Sequence, residues 1–200
     1  MSAYGYIYFI FNNKLKKIDF KNIHIYISKN KMSRASQKLQ HKKNTYIKKD
    51  DDWETPKECL EVLLKYIGEN DIIYDPFYCN GRVIDEWKKL ERECINDDQD
   101  AFNREHPLFD VLVSNIPFSL KKESMELAVN LGMPFALLMP IEALGSKWIT
   151  PYWREKDFKI IIPDGRWAFT KKGKLQGGSW FDTCWITWGL IDGEKNIIKL

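Results

Sequence analysis

The stretch Phe109-Asp-Val-Leu-Val-Ser-Asn-Ile-Pro-Phe118 most narrows what this chain can fold into. Its apolar run is almost uninterrupted, the pattern of a strand buried on both faces of a parallel sheet, and its exit is sharply polar. In open α/β sheets, ligands bind outside the carboxyl ends of the strands, so the residues after Val113 are expected to stand in a site. Asn115 offers a carboxamide oxygen, and the backbone carbonyl of Ile116 stands beside it in the restricted backbone before Pro117. Two such acceptors suit a substrate amino group. Phe118 adds a flat face on which a planar ring can stack.

The chain ahead of this stretch reads as strand, turn and helix in alternation. Thr55-Pro56 opens a helix, with Thr55 as cap, Pro56 in the first turn and Glu58 completing a capping box. Leu60, Leu63, Leu64 and Ile67 share one face of it, and Gly68 ends it. Ile72-Ile-Tyr74 is a short apolar strand, and Asp75-Pro-Phe-Tyr-Cys-Asn-Gly81 is the turn that leaves it. Val83, Ile84, Trp87 and Leu90 then recur at helical spacing, the order that a nucleotide-type loop needs. Glu93-Cys-Ile-Asn96 is a brief second strand.

Beyond the central stretch, Ser119 is the expected cap of a helix whose stripe is Leu120, Leu127, Ala128 and Leu131, closed by Gly132. Phe135 to Met139 is another buried strand. A short helix is expected near Ser146, interrupted by Pro151. Phe158 to Ile162 is a further strand, continued by Arg166 to Phe169. The Gly-rich, basic Lys171 to Gly178 separates it from Phe181 to Trp188, so the pair reads as a hairpin or long flap.

Three of these segments carry a resemblance. Asn115-Ile-Pro-Phe118 resembles the Asn-Pro-Pro-Phe/Tyr motif of S-adenosylmethionine-dependent methyltransferases that modify exocyclic amino groups of bases. Tyr74 to Arg82 resembles that superfamily's Asp-Pro-Phe-x-Gly-x-Gly cofactor loop. Asp52-Trp-Glu-Thr-Pro56 is similar to the segment that precedes the loop in phage-type DNA N6-adenine methyltransferases. The three stand in the family's order and span roughly Asp50 to Leu190. Ile116 replaces the commoner first Pro, a form also found in rRNA adenine dimethyltransferases, and Cys79 and Asn80 stand where the family usually has small residues or Gly.

The resemblance implies a compact Rossmann-like methyltransferase fold of the α/β class, with a mostly parallel sheet and a C-terminal antiparallel hairpin. Asn115, Ile116, Pro117 and Phe118 become the catalytic set. The donor, S-adenosylmethionine, is expected against Trp53, Thr55, Pro56, Asp75, Pro76, Phe77 and Gly81. An acid at the next strand end, about 20 residues after the glycine turn, accepts the ribose hydroxyls of a dinucleotide; Asp97 or Asp98 has that spacing, and Asp100 lies with Phe102 where related enzymes hold adenine. A solvated acidic turn is the other reading of these three. Only about six residues separate Phe102 from the next strand, so one helix-strand unit of the larger family members is expected to be absent.

Length and composition bound the rest. Two hundred residues make one domain able to bury about two-thirds of its unfolded surface, and a net charge of +3 does not by itself imply nucleic-acid binding. The charges are clustered, however. Lys31, Arg34, Lys38, His41, Lys42, Lys43, Lys48 and Lys49 form a basic stretch that is either a solvated arm or a phosphate-contacting one. Arg166, Lys171, Lys172 and Lys174 form a basic patch with Trp167, expected at nucleic acid or in a solvated loop. Cys59, Cys79, Cys94 and Cys184 are scattered, with no His at metal-ligand spacing, so reduced thiols, no metal and an intracellular, soluble, cytoplasmic protein are expected. Tyr4 to Phe11 is too short to cross a bilayer and lacks the flanks of a signal peptide.

Residues 1–49 read as a partly disordered basic extension and 50–200 as the catalytic domain. The expected activity is methyl transfer to N6 of adenine in DNA. RNA adenine, cytosine N4, or a decayed nucleic-acid-binding module are the alternatives. Within the extension, either Met32 is the natural start, or Tyr4 to Phe11 pairs with Asn22 to Ser28 as two strands. An intact mass of the natively expressed protein that includes Met1 excludes the internal start.

Overall fold

The computed structural model describes residues 6–11, 14–19, 53–171, 174–175, 182–194 and 196–200. It separates into two compact units, Met1–Lys43 and Asn44–Leu200. In the first, β1 (Tyr6–Phe11) pairs antiparallel with β2 (Lys14–Asp19), in a register running from Tyr6 opposite Asp19 to Phe11 opposite Lys14. The partner of the first strand is thus the segment directly after it. The expected partner, Asn22 to Ser28, lies outside the described residues.

The second unit is α/β. Its elements in chain order are α1 (Lys57–Glu61), β3 (Ile73–Tyr74), α2 (Arg82–Lys89), β4 (Cys94–Ile95), β5 (Val111–Asn115), α3 (Lys121–Leu131), β6 (Phe135–Pro140), α4 (Thr150–Glu155), β7 (Lys159–Ile162), β8 (Thr170–Lys171), β9 (Lys174–Leu175), β10 (Thr183–Trp188) and β11 (Ile197–Lys199). Seven strands form one mixed open sheet in the order β11-β7-β10-β6-β5-β3-β4. Neighbours β4, β3, β5 and β6 are parallel, as are β7 and β11, while β10 is antiparallel to both strands it lies between. The sheet is therefore mostly parallel. The expected C-terminal antiparallel pair is present as β7 and β10, with Trp185 opposite Ile161 and Thr187 opposite Lys159, and β10 also pairs antiparallel with β6 on its other side.

Apolar side chains alternate between the two faces, and both faces are covered. On one, Leu112, Phe135, Leu137 and Ile186 pack with Met125 and Ala128 of α3; on the other, Val111, Val113, Leu138 and Trp185 pack with Leu60 of α1 and Trp87 of α2. Burial on both sides explains why β5 and β6 read as continuous apolar runs.

Several local expectations are corrected. Pro56, extended at ψ 152°, caps α1 without a side-chain hydrogen bond, so Thr55 does not cap it. After Glu61 the chain continues in three-residue turns, with Leu63 N donating to Leu60 O and Tyr66 N to Leu63 O, and this tighter winding still buries Leu60, Leu63 and Ile67. A 3₁₀ turn, Phe118–Leu120, precedes α3, so exposed Ser119 sits inside that turn and Leu120 holds the cap position. Pro151 opens α4 rather than breaking it, because the first turn needs no N–H there. Arg166 to Phe169 is not a strand; Pro163 and Gly165, at φ 111°, end β7, and the next strand begins at Thr170. Residues 96–110 hold neither helix nor strand, leaving β4 as the sheet's edge.

Gly132 ends α3 in the left-handed conformation at φ 69°, with open space around its missing Cβ; Gly145 also has open space but an ordinary φ. Gly132→Ala is accordingly expected to destabilise by about 1 kcal/mol or more, and Gly145→Ala to be neutral or stabilising by ~0.4–1 kcal/mol. Urea titration of the two variants separates backbone strain from packing.

Candidate functional site

Parallel strands end at the same edge of a sheet, and three ends meet here. Asp75 follows β3, Asn96 follows β4 and Asn115 closes β5. The chain leaves β3 toward β4 on one side while β5 lies on the other, so the edge between them is the switch point where α/β sheets open a crevice. A cavity of about 540 Å³ occupies it.

The two turns are joined directly. Ser114 Oγ donates to Asp75 Oδ1 at 2.7 Å, and Phe77 N donates to the same oxygen at 3.0 Å. Asn96 Nδ2 donates to the Asp75 carbonyl at 2.9 Å, drawing in the third strand end. Burial of Asp75 disfavours its charged form more than these bonds favour it, and its pKa is pushed up to about 7. The segment ahead of α1 forms the facing wall. Asn115 Nδ2 donates to the Trp53 carbonyl at 3.4 Å, which leaves Asn115 Oδ1 as an acceptor with no partner among the described residues.

Of the sequence-derived donor set, Trp53, Thr55, Pro56, Asp75, Phe77 and Gly81 all line the cavity, together with Asn115. Gly81 has φ 75°, and a Cβ there would stand 2.9 Å from the Tyr78 ring, so the close approach it permits is to Tyr78. Pro76 is buried and does not line the cavity.

The other members do not line the cavity. Ile116 and Pro117 are buried, and Phe118 is half-buried against the core beside Ile116. Asp97 pairs with Arg104, whose hydrogen bond holds the Asp97 carboxyl below its ordinary value. Arg104 also lies 5.9 Å from the centre of the Tyr74 ring. Asp98 and Asp100 are exposed, and Asp100 caps the Phe102 amide at 2.9 Å. None of these three acids lines the cavity. In the basic patch, Arg166 pairs with Asp182 at 2.6 Å, Lys171 Nζ stands 5.2 Å from the Trp53 ring centre, and Lys174 is exposed on β9. Lys172 and the Lys31 to Lys49 stretch lie outside the described residues.

Four site residues were not singled out from sequence: Glu54, Asn96, Ser114 and Thr170. Asn96 was read as the last residue of a strand, but that strand ends at Ile95. The one-residue difference moves the strand-end polar group from Asp97 to Asn96. Ser114 was hidden in an apolar run, where a buried hydroxyl needs a partner that only the neighbouring strand reveals.

Among the described residues, no group of three or more His, Cys, Asp and Glu is placed to hold a metal ion. No helix among them is long and apolar enough to cross a membrane. Comparison with protein-family models and with curated proteins finds no match.

The buried Asp75 carboxyl makes stability depend on pH. In the native state it keeps its proton up to about 7, whereas an ordinary carboxyl loses it near 3.8. Its contribution is therefore full below 3.8, declines as pH rises from there, and levels off beyond about 7. Thermal unfolding of Asp75→Asn is expected to lack this decline, giving a midpoint several degrees above wild type at pH 8; ~1 kcal/mol moves it by ~2–4 °C in a domain of this size. Ser114→Ala removes a hydrogen bond that favours the charged form, so it raises the native-state pKa and is expected to extend the decline to higher pH, with its onset unchanged.

Proposed function

We propose that this protein transfers a methyl group from S-adenosylmethionine to N6 of adenine in DNA, on a Rossmann-like methyltransferase fold. One observation carries the reading: the Asp75 to Gly81 turn and Asn115 line one cavity, tied by the Ser114–Asp75 hydrogen bond. A single antiparallel strand, β10, between β6 and β7 of an otherwise parallel sheet is consistent with it.

The residues present fit the donor. A volume of about 540 Å³ lies within the ~300–1,000 Å³ of small-molecule sites. The Asp75 carboxyl stands in its wall, where a cationic ligand would favour its charged form, Phe77 and Trp53 supply rings, and Asn96, buried at 8% exposure with an unpartnered Oδ1, stands at the third strand end. In this reading Trp53, Thr55, Pro56, Phe77 and Asp75 hold S-adenosylmethionine, which supplies an electrophilic methyl carbon.

The protein's own task is then to present a weakly nucleophilic amine. An aromatic amino group delocalises its lone pair into the ring. Asn115 Oδ1, its orientation set by the Nδ2 bond to Trp53, and the Ile116 carbonyl would accept the two amino hydrogens. They would favour a more tetrahedral nitrogen and stabilise the positive charge that develops on it. No strong base is required. Holding donor and acceptor side by side contributes up to ~7–11 kcal/mol in favourable cases. In a duplex the base must first leave the stack, at a cost of a few kcal/mol. Phe118 is half-buried against the core, so stacking requires the base to reach the part of its ring that the core leaves accessible.

Incubation of DNA and RNA with protein and S-adenosylmethionine, followed by digestion and nucleoside mass spectrometry, is expected to show N6-methyladenine in DNA. A product only in RNA, or at cytosine N4, selects an alternative substrate; no product and no calorimetric donor binding indicate a non-catalytic module. Asn115→Ala is expected to lower turnover at least 100-fold, by analogy with loss of a transition-state hydrogen-bonding group, while leaving donor affinity within a few-fold. Equal loss of both would point to misfolding.

A further inference from the structure

Glu54 occupies an unusual position for an acidic side chain. Only 10% of its side chain is exposed, and its carboxylate is bonded to two other segments. Oε1 accepts from Arg82 Nη1 at 2.5 Å and from Asn80 Nδ2 at 3.2 Å; Oε2 accepts from Thr170 Oγ1 at 2.7 Å. Its backbone pairs with the same threonine, Glu54 N donating to Thr170 O at 2.8 Å and Thr170 N to Glu54 O at 3.4 Å. Glu54, Asn80, Arg82 and Thr170 all line the cavity.

One carboxylate thus joins the wall ahead of α1, the turn after β3 and the first residue of β8. Hydrogen bonds to a charged, largely desolvated acceptor are the stronger kind, so displacement of one partner is felt by the others. The residue after Thr170 is Lys171, whose ammonium group lies over the ring of Trp53, Glu54's neighbour. We infer that Glu54 is a positioning residue that couples occupancy of the donor cavity to the placement of β8, and so to nucleic-acid contact at Lys171. A ligand that fills the cavity against Trp53 and Glu54 fixes the strand beginning at Thr170, and nucleic acid held at that strand fixes the cavity wall in return.

The inference rests on the donor reading of the cavity. It is tested by measuring the affinity of a labelled adenine-containing DNA oligonucleotide with and without saturating S-adenosylhomocysteine, in wild type, Thr170→Val and Thr170→Ser. Wild type is expected to bind the oligonucleotide at least ~5-fold more tightly with the analogue, the lower end of usual coupling. In Thr170→Val the ratio is expected to fall below ~2, whatever happens to either affinity alone, and Thr170→Ser, which restores the hydroxyl, to recover it. A ratio of one in wild type, or an undiminished ratio in Thr170→Val, overturns the coupling while leaving the methyltransferase reading intact. Failure of the analogue to bind wild type at all overturns both, and calorimetry with the analogue alone tells these cases apart.

Discussion

The hydrogen bond from Ser114 to Asp75 is the contact on which the site depends. Both side chains are buried, at 0% and 4% exposure, and each belongs to the end of a different strand of the parallel pair β3 and β5. A buried hydroxyl left without a partner costs about 1–3 kcal/mol, so Ser114 requires Asp75, whose carboxyl also holds the Phe77 amide. Their bond keeps two turns, almost forty residues apart in sequence, at one edge of the sheet. It also leaves the carboxyl only partly stabilised as an anion: both donors reach Oδ1, and burial raises its pKa to about 7.

Around that contact the molecule uses neutral and charged polar groups differently. Asn96 and Asn115 fix backbone carbonyls on neighbouring segments with their amide nitrogens, at 2.9 and 3.4 Å, and keep their carboxamide oxygens unpartnered among the described residues. Glu54 does the reverse and spends its acceptor capacity on protein partners. The first arrangement leaves acceptors for a ligand. The second braces the wall against which a ligand would lie.

Much of this architecture was legible in residue pattern. Strands around Val111 to Val113 and Phe135 to Met139 announced themselves because burial on both faces permits nothing but apolar side chains there. Pro76, Gly81 and Pro117 marked the turns, since their backbone restrictions operate locally. Less legible were the caps and ends. Thr55 looked like a cap and is not one, and Pro151 looked like a break and is a start, because both depend on where the first helical hydrogen bond closes. A shift of one residue at the end of β4 exchanged a charged candidate, Asp97, for a neutral one, Asn96.

Taken alone, the amino-acid order determined the α/β class, the buried central strands and the segments able to carry chemistry, all of which follow from periodicity and short-range backbone preference. Tertiary structure decided which of those segments meet. The placement of β10 between β6 and β7 and the convergence of Glu54, Asn80, Arg82 and Thr170 are contacts between distant parts of the chain. No local pattern encodes such contacts, because a polar side chain's role is set by the partner that burial leaves within reach.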